Sequence, residues 1–467
     1  MQIPILNGIY TDEQADYRTS YPLNLIPVPK ETGISKGYLR PADGITEFAE
    51  GPQKDRGGIN WNGVLYRVMG DQLVTVSKDG LITNLGFVGG SFDKVSIDYS
   101  FDRLAIASDG GLYLWDNVTL ERVKDADLGT ALDLIWVDGY FMTTDGEFLV
   151  VTDLNNPLSV NPLRYGSSEA DPDPIKALIK VRNEPHALNR YTIEAFDNVG
   201  GTGFPFQRID GAQIQRGTVG THSCCLFLEN LAFVGGGRNE SIAIWLGING
   251  QSVKISTREI DQILDTYSED TLSKSILEAR VDKGHQHLYL HLPDKTLVYD
   301  AAATEAVGEA VWFVLSSSLE GFGQFRLKNI VRCYDKWIGG DPQSSKLGQF
   351  TNQESHHWGQ PIRWEFSTQI LYNEGRGAIF HDLELVCLPG RSDTGKLGTV
   401  WTSYSKDGEF WSQRKGVKGG GQGNRRKRFV WLQQGGMRNW RIQRFEGDSN
   451  LNMSFSRLEA RLEPLGY

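Results

Sequence analysis

Short runs rich in apolar and β-branched residues, separated by polar turns, follow one another along most of the chain. Asparagine or aspartate followed by glycine occurs ten times, and this dipeptide favours hairpin turns because glycine adopts positive φ without steric cost. Each of three groups of runs predicts a small antiparallel meander, and a repeat of roughly 30 to 40 residues is typical of β-propeller blades. A β-sandwich is the alternative. The first group of strand-like runs comprises residues 64–68, 72–76 and 81–85, and the second comprises 94–99, 103–107 and 111–115. The third comprises 132–137, 140–144 and 147–152.

The pattern continues after residue 160 with fewer turn dipeptides. Residues 161–174 contain three prolines among polar residues, which predicts an extended connector between blades. Further strands are expected at 175–181, 191–196, 226–234, 242–246, 287–291 and 296–299.

A helical pattern interrupts the strands at residues 256–279. Ser256 and Glu259 have the spacing of an N-terminal capping box, and apolar residues at 260, 263, 264 and 267 recur at helical spacing. A second helix is expected from Glu269. The segment therefore predicts a short α-helical hairpin, which serves either as a packing strut or as a docking element.

These patterns predict an all-β protein with a β-propeller of six or seven blades. The helical hairpin is inserted into it, and the C-terminal region is β-rich, either sandwich-like or completing the propeller. The expected domains are an N-terminal arm at residues 1–45, a propeller body at 46–360 and the C-terminal region at 361–467. We expect the arm to pack on a neighbouring subunit or to close a ring.

Charge is strongly segregated along the chain, which has 467 residues and a net charge of −10. Residues 391–467 contain 15 lysines and arginines and 7 acidic residues, so this segment carries +8 and the first 390 residues carry −18. The acidic total argues against a nucleic-acid binder that works by bulk attraction. The four cysteines lack zinc-type spacing, and no run of 18 apolar residues predicts a membrane span.

Catalytic and metal-binding clusters are incomplete in the sequence. His285, His287 and His291 alternate along one predicted strand and so share a face, but no nearby carboxylate pattern completes a metal site. His222 lies close to Cys224 and Cys225, yet the apolar residues that follow predict a buried strand and not a thiol enzyme. We therefore expect no catalytic residue, no metal ligand and no cofactor.

A candidate contact turn runs from Ser405 to Trp411 and includes Asp407 and Phe410. It approximates the Asp-box of sialidase-type propellers but lacks the residue between aspartate and glycine. The turn is read either as a type I′ hairpin closed by an aromatic residue or as a glycan contact through Asp407, Phe410 and Trp411.

Four consecutive cations, Arg425, Arg426, Lys427 and Arg428, follow a glycine-rich segment and precede a predicted strand. Three interpretations are open. The cluster contacts the acidic part of a neighbouring subunit, lies in a solvated loop, or neutralises DNA phosphates.

Several stretches, taken in chain order, resemble one known family. They include Tyr-Pro-Leu-Asn at 21–24, Gly-Tyr-Leu-Arg at 37–40, Thr-Asp-Leu at 152–154, Phe-Pro-Phe at 204–206 and Tyr-Leu-His-Leu-Pro at 289–293. Over roughly residues 15–460 the chain resembles the packaged-DNA stabilisation proteins, also called tail accessory or tail hub (nozzle) proteins, of short-tailed Salmonella-type bacteriophages.

The resemblance implies a non-enzymatic β-propeller protein that forms a homohexamer in the virion tail. The implied function is to close the portal channel and retain the packaged DNA, after synthesis in the host bacterial cytoplasm. The implied partners are the portal adaptor (head-to-tail connector) ring, the tail needle, tailspike or tail fibre proteins, and the double-stranded DNA in the lumen. The basic cluster matches no defined role in the family.

Two other functions are compatible with the residues. One is a glycan-binding or sialidase-like propeller of the tail that acts in host attachment. The other is a receptor-binding module in which Trp401, Tyr404, Phe410 and Trp411 stack on sugars.

Overall fold

A computed structural model describes residues 2–3, 5, 21–30, 36–90, 93–154, 156–373, 375–389, 398–407 and 410–466. They form two compact units. We call Glu47–Arg280 with Arg326–Gln349 the propeller unit, and Met1–Thr46 with Val281–Phe325 and Phe350–Tyr467 the sandwich unit. In the part of the chain that the structure describes, no helix is long and apolar enough to cross a membrane.

Small antiparallel sheets, each built mainly from consecutive strands, make up the propeller unit. The first three sheets have four strands each. The first contains Asp55–Trp61, Val64–Met69, Gln72–Val76 and Ile82–Phe87. The second contains Ser96–Tyr99, Leu104–Ser108, Gly111–Trp115 and Leu120–Arg122. The third contains Asp133–Val137, Tyr140–Thr144, Phe148–Asp153 and Asn156–Ser167.

The later sheets follow the same plan. The fourth contains Ile175–Val181, Glu184–Asn189, Ile193–Asn198 and Phe206–Arg208. The fifth contains Gly217–Thr218, Cys224–Phe227, Asn230–Gly236, Ala243–Ile248 and Gln251–Lys254. The sixth contains Lys328–Cys333, Lys336–Gly340 and Lys346–Thr351, and its fourth strand is the N-terminal Gly44–Glu50. The strand Ile276–Asp282 opens a seventh small sheet of four strands, which continues with the His285–His291, Thr296–Asp300 and Trp312–Leu315 strands.

Alternate residues of one strand pack against different neighbouring sheets. Leu104 and Ile106 share a buried cluster with the first sheet, whereas Ala105 and Ala107 share one with the third. Since both faces of the second sheet are covered, Leu104–Ser108 is buried at every position. Such strands therefore appear in the sequence as unbroken apolar runs and not as an alternating pattern.

The predicted groups of three strands are in fact parts of four-stranded sheets. Two strands lie outside the predicted groups: the opening strand Asp55–Trp61, in which two adjacent glycines weaken the strand pattern, and the edge strand Leu120–Arg122. The predicted connector at 161–174 is wrong in its first half, because Asn156–Ser167 pairs with Phe148–Asp153. Pro162 is tolerated there because the edge strand bulges between Val160 and Tyr165.

Residues 226–234 do not form the single strand that the sequence predicts. They belong to a hairpin of Cys224–Phe227 and Asn230–Gly236. Leu228 and Glu229 form its turn with φ of 51° and 61°, so two residues without the usual turn preference adopt left-handed backbone. The hairpin therefore carries no asparagine–glycine signal in the sequence.

The helical hairpin is confirmed, with Arg258–Asp265 followed by Glu269–Ser273. The cap of the first helix is Thr257 and not Ser256. The Ser256 hydroxyl is engaged elsewhere, since it accepts from the Ile244 amide at 3.1 Å and donates to the Asp261 carboxylate at 2.6 Å. A 3₁₀ turn at Ala126–Leu128 and a third helix at Ala301–Val307 were not predicted.

The sandwich unit contains two larger sheets and one meander. Its buried aromatic core includes Trp364, Phe366, Phe445 and Phe455. The seven-stranded sheet contains Gln2–Ile3, Leu25–Pro29, Gly37–Pro41, Ala378–Leu388, Phe429–Leu432, Gly436–Met437 and Ser454–Pro464. The five-stranded sheet contains Arg363–Ser367, Leu371–Tyr372, Thr399–Ser405, Lys415–Lys418 and Trp440–Asp448. The strands of the meander are His285–His291, Thr296–Asp300 and Trp312–Leu315.

The described strands of the predicted N-terminal arm are built into this chain's own sheet. Leu25–Pro29 pairs with Gly37–Pro41, which in turn pairs with Ser454–Pro464. Asn24 fixes this segment, because its buried side-chain amide donates to the carbonyls of Ser316 at 2.9 Å and Arg363 at 2.6 Å. Contact of the arm with a neighbouring subunit, and the division at residues 45 and 360, stay predictions.

A buried ion pair within the first sheet of the propeller unit also bonds to the sixth sheet through Asn329. The Arg67 guanidinium donates to both carboxylate oxygens of Asp55 at 2.8 and 2.7 Å, and both side chains are almost fully buried. Arg67 also donates to the carbonyl of Asn329 at 2.9 Å, and the Asn329 amide donates to Asp55 at 2.8 Å. A Cβ atom at Gly58 would lie 2.3 Å from Arg67 Cδ, so the guanidinium requires glycine at this position.

Replacement of Asp55 by alanine should lower the free energy of unfolding by about 3 to 5 kcal/mol, because the Arg67 guanidinium would remain buried without its counter-ion. Chemical denaturation followed by tryptophan fluorescence measures the loss. The exposed Asp79→Ala is the control, with an expected change below about 0.5 kcal/mol. A double variant, Asp55→Leu with Arg67→Met, should recover part of the loss. Equal instability of the double variant and Asp55→Ala would contradict the charge argument.

Candidate functional site

Seven strands converge on a cavity of about 380 Å³ in the propeller unit. Since the innermost strand of each propeller blade faces the central channel, the cavity has the position of that channel. Seven lining strands in the described residues correspond to the larger of the two predicted blade numbers. The strands are Asp55–Trp61, Ser96–Tyr99, Asp133–Val137, Ile175–Val181, Cys224–Phe227, Ile276–Asp282 and Lys328–Cys333.

Glu278 is the main acidic group on one side of the cavity. Its carboxylate accepts from the backbone amides of Asn329 at 2.7 Å and Ile330 at 2.8 Å. The Lys94 ammonium lies 3.5 Å from the same carboxylate. Glu278 thus holds two lining strands together, and its charge is compensated inside the cavity.

Asp133 is buried and His222 is half-buried in the same cavity wall. Burial raises the pKa of Asp133 to about 6, although its carboxylate accepts from the amides of Leu178 at 2.7 Å and Leu134 at 2.8 Å. Burial, aided by the nearby Lys94 charge, lowers the pKa of His222 to about 3. The imidazole is therefore neutral over the physiological pH range.

The adjacent thiols at the cavity are poor nucleophiles. Burial raises the pKa of both Cys224 and Cys225 above the ordinary value, so both are protonated at neutral pH. The predicted strand is present, with Cys224 buried and Leu226 half-exposed. Because amides or a cation hold the carboxylates of Asp133 and Glu278, the described cavity wall supports a structural use.

The basic cluster is divided by the structure. Arg428 donates to Glu384 at 2.7 and 2.5 Å, and these hydrogen bonds hold the pKa of Glu384 below its ordinary value. Arg425 and Arg426 are exposed and Lys427 is half-buried, and these three have no ion-pair partner among the described residues. The loop joins Lys415–Lys418 of one sheet to Phe429–Leu432 of the other, and it presents Arg425 and Arg426 to solvent.

The aromatic turn is only partly described, because Gly408 and Glu409 lie outside the described residues. The Asp407 carboxylate accepts from the Ser405 hydroxyl and from the Phe410 amide, both at 2.9 Å. Phe410 is 75% exposed, whereas the Arg444 guanidinium lies 4.0 Å from the ring centre of Trp411. One face of Trp411 is therefore occupied within the chain, and Phe410 is the freely presented ring.

The alternating histidines lie beside a carboxylate that sequence analysis missed. His285 Nδ1 lies 2.6 Å and His287 Nε2 lies 3.3 Å from the same oxygen of Asp300, while His291 contacts Thr296 at 2.9 Å instead. His287 is paired with Asp300 in the hairpin register. The sequence does indicate the pairing of His287 with Asp300, because a turn at residues 292–295 between the two predicted strands brings these residues opposite each other.

Two family models match this chain. The model described as bacteriophage P22 Gp10, β-propeller, matches residues 1–355, and the model described as bacteriophage P22 Gp10, β-sandwich, matches residues 363–463. Among curated proteins, the tail hub protein gp10 of Salmonella phage P22 is 27% identical over 385 residues, which cover 76% of this chain and 79% of that protein. The expected propeller and the sandwich-like C-terminal region are confirmed.

Two solved WD40 domains also align with part of this chain. The WD40 domain of Neurospora crassa Pan2 aligns with a TM-score of 0.41 and 8% identity, covering 66% of this chain and 96% of that domain. The WD40 propeller domain of Doa1 aligns with a TM-score of 0.41 and 11% identity, covering 66% of this chain and 97% of that domain. Since both TM-scores are below 0.5, no conclusion is based on these two alignments.

The raised pKa of Asp133 predicts a pH-dependent stability. Because the folded state binds the Asp133 proton more tightly than the unfolded state, this group stabilises the protein at low pH, and its contribution is lost as the pH rises from about 4 to about 6. We expect the difference in unfolding free energy between wild type and Asp133→Asn to change by up to roughly 3 kcal/mol over this range and to be constant above pH 7.

Denaturation curves at half-unit pH steps measure this difference. The asparagine side chain lies beside the Leu178 backbone amide at every pH. Any cost of this contact is therefore independent of pH and shifts the whole difference curve by a constant amount. The exposed Asp79→Asn is the control. A difference curve that is flat between pH 4 and 6 would disprove the raised pKa.

Proposed function

Because the chain belongs to the family of bacteriophage P22 Gp10, we propose that it is a structural protein of the tail hub, or nozzle, of a short-tailed bacteriophage. The observation that carries the proposal is the match to a tail hub protein along three quarters of the chain. The site of action would be the virion tail, after synthesis in the host bacterial cytoplasm. The protein would act by binding and assembly, without making or breaking a covalent bond.

The finer proposal concerns the assembly. Six copies would form a ring below the portal adaptor ring, close the portal channel and retain the packaged DNA. The same ring would carry the tail needle and the tailspike or tail fibre proteins. A body of small sheets that pack on both faces supports this role, because such a body is stiff and presents few free strand edges.

DNA would pass through the lumen of the ring of subunits and not through the propeller of one chain. The cavity of about 380 Å³ has room for only about a dozen water molecules, at about 30 Å³ each. Duplex DNA is too large for this cavity, since its major groove alone is about 12 Å wide. The net charge of −18 over residues 1–390 would keep DNA from adhering to a wall formed by this part of the chain, since like charges repel.

Assembly with the adaptor ring is the first test. Purified chain mixed with the adaptor ring of the same phage should form a complex with six copies, counted by native mass spectrometry and cryo-electron microscopy. The adaptor ring of an unrelated phage is the control. A ring with another copy number, or no complex, would contradict the proposal. Cleavage or binding of host surface glycans by the isolated chain would instead favour the attachment function.

Charge reversal in the basic cluster tests its role at a subunit contact. Arg425→Glu with Arg426→Glu should weaken hexamer formation, because like charges placed across an interface cost several kcal/mol. The matched control is Lys78→Glu with Lys124→Glu, two exposed positions of the propeller unit. Sedimentation at several salt concentrations measures assembly.

The three interpretations of the cluster give different results in this experiment. Loss of hexamers indicates a contact between subunits. Normal assembly with weaker and less salt-dependent retention on immobilised duplex DNA indicates a phosphate contact. No change in either measurement indicates a solvated loop and would rule out both contacts.

A further inference from the structure

Two imidazoles and one carboxylate meet inside the meander of the sandwich unit. His285 Nδ1, His287 Nε2 and Asp300 Oδ2 all lie within 4.8 Å of one another. Two histidines and one carboxylate are a common donor set for zinc and for other divalent transition metals. With metal–ligand bonds of about 2.0 to 2.2 Å, a tetrahedral site separates its ligand atoms by about 3.3 to 3.5 Å. The nitrogen–oxygen distances of 2.6 and 3.3 Å differ from this by less than 1 Å.

The groups around these three residues orient them toward one point. The other oxygen of Asp300 accepts from the backbone amides of Gln286 and Ala303, both at 3.3 Å, so the carboxylate is held in place. On the far side of the His287 ring, Nδ1 lies 3.3 Å from the Tyr289 hydroxyl. This contact leaves Nε2 directed at Asp300. Such support by a second group, shown here for Asp300 and His287, is usual for the ligands of protein metal sites.

Local structure explains why the three side chains converge. His285 and His287 are two positions apart on one strand and therefore lie on the same face, with their rings stacked 5.0 Å apart. Asp300 ends the neighbouring strand and also caps the helix Ala301–Val307. A ligand bound here would therefore link two strands and the first turn of a helix.

Burial and access also suit a cation. The Asp300 side chain is fully buried, where a carboxylate requires a compensating positive charge. His285 is 12% exposed at the rim, and the space beside the adjacent Gly284 is open, with no atom within 4 Å of a Cβ placed there. An ion can reach the donors from this side.

We propose that His285, His287 and Asp300 bind one divalent transition-metal ion of the zinc class and that this ion stabilises the sandwich unit. Water would complete the coordination. The role is structural, because the ion would cross-link the hairpin and the helix cap. This proposal does not depend on the tail hub function.

The test uses the full-length chain without an affinity tag, after removal of metal by a chelator. Titration with Co²⁺ should give one saturable equivalent per chain with the visible absorption of a tetrahedral complex, and Zn²⁺ should displace it. Zn²⁺ should also raise the unfolding temperature, since a ligand that binds only the folded state stabilises it. Each of His285→Gln and His287→Ala should weaken binding by at least about 100-fold, because even the loss of a group that only supports a ligand costs 10- to 100-fold.

The matched control is His291→Gln, on the same strand and the same face but outside the donor set, and it should bind Co²⁺ as the wild type does. His381→Gln, at an exposed position, is a second control. Folding of each variant is checked by circular dichroism. The proposal is overturned if the wild-type chain forms no one-to-one Co²⁺ complex. It is also overturned if folded His285→Gln binds Co²⁺ as tightly as the wild type. Should His287→Ala not fold, His285→Gln and the wild-type titration decide the matter.

Discussion

Closure of the sheets in the propeller unit is the constraint on which its other features depend. The unit is built from two separate stretches of chain, and the second of them, Arg326–Gln349, returns to the first sheet. Arg67 and Asp55 form a buried ion pair that also bonds to Asn329, and the Tyr334 hydroxyl donates to the Val76 carbonyl at 2.8 Å. The seven strands surround one cavity only when these contacts form, so the cavity is a consequence of closure.

The polar groups inside the cavity are bonded to backbone amides or lie close to a counter-ion. Glu278 is neutralised by Lys94 and bonded to two amides, Asp133 is bonded to two amides, and the His222 imidazole stays neutral. Each group joins neighbouring strands, so the interactions that an enzyme would use for chemistry are used here to fix the strands. Such a rigid body agrees with similarity to a tail hub protein.

The sandwich unit depends on a different kind of long-range contact. Three stretches of chain contribute to it, and the N-terminal strands pair with the C-terminal Ser454–Pro464. Asn24 bonds to backbone groups almost 300 residues away, and Asp300 collects two imidazoles and two amides around one carboxylate. In both cases a single buried polar side chain satisfies several groups, so its loss would leave several of them without partners.

The sequence by itself determined most strands, the hairpin turns, the helical hairpin and the all-β class, because strand pattern, turn residues and helix caps are local properties. It did not determine the strand Asp55–Trp61, which contains two glycines, or the turn at Leu228 and Glu229, which lacks the usual turn residues. Nor did it bring Glu384 to Arg428, or the Asp300 carboxylate to both His285 and His287 at once, although the hairpin turn indicates the pairing of His287 with Asp300. Those pairings depend on register and sheet order, and only the tertiary structure decides which distant side chains share one buried space.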